Sequence, residues 1–118
     1  MNIKLAVVAI WAEDVRSNAH FYRDVIGLQL SDHHGAMVHF MVDGVRLVIL
    51  KGRPAKASNT FLERFPIVAF ETDNLDDAIV RLKAHQVELP WEIEENPEAR
   101  WAMFHDPAGN LIEFVEFK

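Results

Sequence analysis

A carboxylate set among apolar residues is the first group in this chain that could do chemistry. In Leu111-Ile112-Glu113-Phe114-Val115 the alternation of a strand puts Leu111, Glu113 and Val115 on one face and Ile112, Phe114 and Glu116 on the other. Glu113 therefore has apolar neighbours. A carboxylate in that setting either works on a ligand or is paired within the scaffold, because burying it alone is costly. Arg46 and Arg100 are the candidate structural partners, and a cationic or donor-bearing ligand is the functional alternative.

Other reactive groups are sparse. The chain has no cysteine, which removes thiolate metal sites, disulfides and a Cys nucleophile, and which suits a reducing compartment, so the cytoplasm is the expected location. Ser17, Ser31 and Ser58 have no evident base, and neither a phosphate-binding glycine loop nor a G-x-S-x-G elbow occurs. Six histidines do not assemble a metal site. His33 and His34 are adjacent and point opposite ways in a strand, His33 and His39 would lie about 20 Å apart, His20 and His85 belong to helices, and His105 precedes a turn. What remains is aromatic surface and acid. Trp11, Trp91 and Trp101 with Phe40 and Phe104 can wall a site, and Glu71 and Glu113 can supply negative charge, a combination suited to a flat or cationic organic ligand. The alternative for each aromatic residue is simple packing.

These residues sit in a chain long enough for one domain: 118 residues, 50% hydrophobic and 25% charged, with a net charge of -6. That charge argues against nucleic acid or an anionic membrane surface as partner. The apolar N-terminal run Leu5 to Ala12 is too short to span a bilayer and reads as a strand.

The elements that position the candidates come in two similar sets. The first is a strand over Ile3 to Trp11, a helix over Val15 to Ile26 capped by Asp14 and closed by Gly27, and strands over Leu28–Asp32, Ala36–Val42 and Arg46–Lys51. Asp43-Gly44 joins the last two as a hairpin. The second begins sixty residues later: a strand over Ile67–Glu71, a helix through Leu75, Ala78, Ile79 and Leu82 ending near His85, and strands over Val87–Ile93, Ala99–His105 and Leu111–Phe117. Asp106-Pro107-Ala108-Gly109-Asn110 turns the final hairpin. The expectation is an α+β fold of two tandem βαβββ modules, residues 1–52 and 66–118, forming a curved mixed sheet as a single domain. Residues 53–65 are the linker, in which Phe61 to Phe65 is an apolar patch.

Two motifs inside this arrangement carry a resemblance. The run Asn18 to Leu28, with Phe21-Tyr22 and Ile26-Gly27-Leu28, and the Asp106-Pro107-Ala108-Gly109-Asn110-Leu111-Ile112-Glu113 hairpin resemble the vicinal oxygen chelate superfamily of glyoxalases, bleomycin resistance proteins, fosfomycin resistance enzymes and extradiol dioxygenases. In the catalytic members that this resemblance implies, four side chains hold one divalent metal, one from the first and one from the last strand of each module. Here those positions fall on Val7, on Val48 or Ile49, on Ile67 and on Glu113. One ligand type of four is kept. A single carboxylate does not hold a divalent ion tightly, so no metal and no cofactor is expected.

The reading is a cytoplasmic homodimer that binds a small organic molecule, cationic or aromatic, without metal, as bleomycin-type sequestration proteins do; its ligand-binding candidates are Glu113, Trp101, Trp11, Glu71, Phe40 and Trp91. Two other classes stay open at this point. One is a metal-dependent glyoxalase, lyase or dioxygenase with an atypical site, and the other is a non-catalytic assembly domain.

Overall fold

The structure is a computed structural model that describes residues 1–34, 37–55 and 66–118. Two compact units divide the chain, Met1–Ala55 and Lys56–Lys118. Each contains a four-stranded mixed sheet with a helix on one face, so the α+β class and the tandem modules are observed. The apolar patch Phe61 to Phe65 lies outside the described residues.

In the first unit, β1 (Val7–Ala12), β2 (Leu30–His34), β3 (Met37–Val42) and β4 (Val45–Lys51) pair in the order β1-β4-β3-β2, with β1 parallel to β4 and the rest antiparallel. The first strand is shorter than the apolar run. Among the described residues its strand partner is β4, which begins at Val45, and the register Val7↔Arg46 leaves Ile3 and Leu5 beyond the hairpin end, exposed. Asp43 and Gly44 both take positive φ (50° and 81°), the geometry that a tight hairpin turn requires and that Gly adopts without strain.

Helix α1 (Val15–Phe21) starts at Asp14, whose side chain accepts from the Ser17 amide at 3.0 Å. Residues Tyr22–Ile26 were expected to continue it as an ordinary helix, but they form a π-helical turn. Both the Gly27 amide (3.1 Å) and the Leu28 amide (2.8 Å) donate to the Tyr22 carbonyl, with Gly27 left-handed at φ 90°. Closing that turn uses Leu28, which is why β2 begins at Leu30 and not at Leu28. The wider turn brings Phe21, Tyr22 and Val25 into the core with Ile10, Leu47 and Ile49.

The second unit repeats the plan. β5 (Val68–Glu71), β6 (Glu94–Glu95), β7 (Ala99–His105) and β8 (Leu111–Phe117) pair as β5-β8-β7-β6, with β5 parallel to β8. Helix α2 (Leu75–Ala84) is capped by Asn74, which accepts from the Asp77 amide at 3.0 Å, and also from outside, where Glu116 Oε1 accepts from the Leu75 amide at 2.9 Å. Leu75, Ile79 and Leu82 face Ala102, Phe104, Ile112 and Phe114, all buried. The expected strand over Val87–Ile93 does not form. Gln86 turns left-handed (φ 58°), the Val87 amide caps the helix by donating to Leu82 at 3.0 Å, and Pro90 has no amide to offer, so pairing with β7 is confined to Glu94–Glu95.

Candidate functional site

Register decides which side chains share a surface. In the second sheet Ala69 pairs with Glu113 and Glu71 with Val115, while Met103 lies opposite Glu113, Trp101 opposite Val115, His105 opposite Leu111, and Glu94 opposite Trp101. Paired residues project to the same face. Trp101, Met103, His105, Leu111, Glu113 and Val115 therefore form one half-buried face, the one that α2 leaves open. Trp91 closes its His105 end, with ring centroids 5.3 Å apart.

Glu113 stands in the middle of this surface. It makes no hydrogen bond or ion pair with any described residue. Burial pushes its carboxyl above the usual carboxylate range, and the negative charge of Glu94 pushes it further. Arg100, a candidate structural partner, is on the opposite face. Its guanidinium reaches Asp76 at 3.2 Å and Glu116 at 3.7 Å, as the Arg100↔Glu116 register requires. The two glutamates of β8 thus have different fates: Glu116 is tied to the scaffold and Glu113 is left for something else.

The turn before β8 holds this face in register. Asp106 is buried, and its Oδ1 accepts from the Ala108 amide (3.0 Å) and the Asn110 amide (2.9 Å) while Oδ2 accepts from Asn110 Nδ2 (2.9 Å). Gly109 takes φ 99° between them. The motif's Asp is a turn organiser.

Of the six sequence candidates, Glu71, Trp91, Trp101 and Glu113 come together on the second sheet, Glu71 and Trp91 as exposed residues at its margins. Trp11 belongs to the first unit, on the face opposite α1, 45% exposed and packed over Gly52 so closely that a Cβ there would meet its ring at 2.6 Å. Phe40 is fully buried on the helix side, 6.3 Å from the Tyr22 ring centroid. Phe104 is likewise core. Met103, His105 and Glu94 were missed as site residues, although alternation from Trp101 carries Met103 and His105 onto the same face. Glu94 needed the short β6 pairing, which no periodicity in the sequence signals.

The resemblance assigns metal ligands to four positions, and the register fixes the face of each. Val48 pairs with Ala9 and is on the open face of the first sheet, whereas Ile49 points to α1, so the one-residue ambiguity resolves to Val48. Val7 and Ile67 share the parity of their open faces. Three of the four positions carry hydrocarbon, and among the described residues no cluster of three or more His, Asp or Glu converges to hold an ion. Those four positions do not supply the donor set of a chelated divalent metal.

Residues 4–114 match the sequence profile of the Glyoxalase/Bleomycin resistance protein/Dioxygenase superfamily. The chain belongs to that superfamily. Among solved structures it is similar to lactoylglutathione lyase from Agrobacterium tumefaciens (24% identity, 96% of this chain and 92% of that one, TM-score 0.75). It is also similar to the oxidase ChaP-H2 (26%, 98% and 94%, 0.76) and to the fosfomycin resistance protein FosX from Listeria monocytogenes (18%, 98% and 94%, 0.80). No curated protein sequence matches the chain. A lyase, an oxidase and a resistance protein share this superfamily fold, so membership alone selects no activity. No helix of the described residues is long and apolar enough to cross a membrane.

Proposed function

We propose that this chain binds a small organic molecule on the open face of the second sheet, without a metal, with Glu113 as the polar contact and Trp101, Met103, His105 and Trp91 as the surrounding walls. One observation carries the reading. A half-buried carboxyl, desolvated and with no bond to any described residue, lies at the centre of an aromatic and thioether surface. A ligand amine or other donor would supply the missing hydrogen bond, and flat apolar parts would cover the tryptophans. The role that fits is sequestration of a cationic or aromatic compound in the cytoplasm.

A thermal-shift screen of aromatic amines against the wild-type chain and Glu113→Gln tests it. Compounds that stabilise the wild type should lose affinity in the variant by more than about 1.5 kcal/mol, roughly tenfold, the lower range for a charge-assisted hydrogen bond. Hits that bind both proteins equally would remove Glu113 from the site. A stoichiometric, tightly held transition metal in protein purified without chelator would end the metal-independent reading.

We also propose a homodimer. β1 and β5 are edge strands of their sheets, and Val7 and Trp11 are 49% and 45% exposed, apolar surface that a second copy would cover. Light scattering that gives 13.5 kDa at micromolar concentration without dilution dependence would refute this.

A further inference from the structure

A second concavity lies in the first unit, on the side of the sheet that carries α1. It is a cavity of about 700 Å3 between the first turns of α1 and the strands β2 and β3. Its origin is local. Val15 and Ala19 are one helical turn apart and present small side chains to the sheet, while the large residues Phe21 and Tyr22 enter the core further along. The gap is floored by Val38 and Phe40, and it is open beside Leu30, an edge-strand leucine left 39% exposed.

Its lining holds three cations, Arg16, Arg23 and Lys51, against two acids, Glu13 and Asp14. Arg16, His20 and Arg23 recur at i, i+4 and i+7 and form a stripe along one wall, and Lys51 stands at the end of β4. Arg16 and His20 make no hydrogen bond or ion pair with any described residue. Lys51 donates to the backbone carbonyl of Glu13 at 2.6 Å and keeps its remaining N–H groups. The acids in the lining are engaged: Glu13 pairs with Arg53, and Asp14 caps α1. Arg23 is held by Asp24 at 2.8 Å, so Arg16 and Lys51 are the cations that an incoming anion meets.

We propose that this cavity is a separate binding site for a small amphipathic carboxylate, its hydrocarbon against Val15, Ala19 and Leu30 and its carboxylate at Arg16 and Lys51. An apolar wall with cations in the same lining is what such an anion requires, and a volume of about 700 Å3 is within the usual range for small-molecule pockets. The assignment goes beyond the reading of the second sheet and shares no residue with it.

Octanoate and 1-octanol serve as probes, titrated into the full chain and followed by amide proton–nitrogen NMR. Octanoate should shift the amides of Ala19, His20, Leu30 and Val38 and bind about fivefold more tightly than octanol, the scale of a partly exposed ion pair. Arg16→Glu, on an exposed helix position, should remove that difference and leave octanol binding as it was. Ala19→Phe fills the floor and should abolish both. Should that variant not fold, Leu30→Glu sets a charge in the apolar wall and should weaken both probes. Glu113→Gln should leave octanoate binding unchanged, so this site and the one on the second sheet fail or stand separately. Equal affinity for the two probes, octanoate binding indifferent to Arg16→Glu, or shifts gathered around Trp101 and Glu113 would overturn the assignment.

Discussion

The sharpest consequence of the second unit is that one substitution, made at two positions three residues apart on β8, should have opposite signs. Glu113→Leu replaces a desolvated carboxyl, bonded to no described residue, with a side chain that matches Leu111, Val115 and Met103. Removing an uncompensated polar group from such a surface should stabilise the fold by about 0.5–1 kcal/mol. Glu116→Leu, on the opposite face, removes the oxygen that accepts from the Leu75 amide at 2.9 Å and strands that amide at the first turn of α2, beside a fully buried side chain. A hydrogen bond to a charged group contributes about 1.5–3 kcal/mol, so this variant should lose that much. The two melting temperatures should then lie about 8–16 °C apart, at roughly 4 °C per kcal/mol for a chain of this length. Paired calorimetric scans at neutral pH are the assay. If Glu113→Leu melts as low as Glu116→Leu, Glu113 is a scaffold residue, and both its isolation and the site built on it are wrong.

Three further outcomes follow from the same geometry. The folded pKa of Glu113 is raised, so the folded state holds its proton longer than the unfolded chain; the associated stability is full at low pH and falls as pH rises from the ordinary carboxylate value through the folded one, a slope that Glu113→Gln should remove in urea titrations across that window. Asp106→Ala breaks the bonds to the Ala108 and Asn110 amides and should cost about 2–3 kcal/mol in chemical unfolding, and an unchanged midpoint would show that Pro107 and Gly109 turn the hairpin without it. Gly52→Ala puts a methyl 2.6 Å from Trp11 Cε3, so the ring must move, and Trp11 fluorescence, isolated by replacing Trp91 and Trp101 with Phe, should change in wavelength or quenching.

Much of this molecule is written in local pattern. Alternation along Leu111–Phe117 places Glu113 and Glu116 on opposite faces, helical spacing with Asp14 and Asn74 as caps sets both helix starts, and Asp43-Gly44 and Ala108-Gly109 mark the hairpins, because each depends only on neighbours a few residues away. The apolar residues at Val7, Val48 and Ile67, where the resemblance calls for metal ligands, are equally a matter of sequence. What the chain pairs with is not. The end of β1 at Val7 depends on where β4 begins, the loss of a strand over Val87–Ile93 depends on which backbone groups α2 and β7 leave unmet, and the π-helical turn depends on carbonyl partners that no period of 3.6 records. The same distinction separates the site residues. Trp101 and Phe40 are both strand aromatics in the sequence, yet only the position of the helix leaves one on an open face and buries the other. Whether Arg100 serves Glu113 could be settled only by where its guanidinium goes, and cross-strand register sends it to Glu116, because an electrostatic partner is a matter of distance in space and not along the chain.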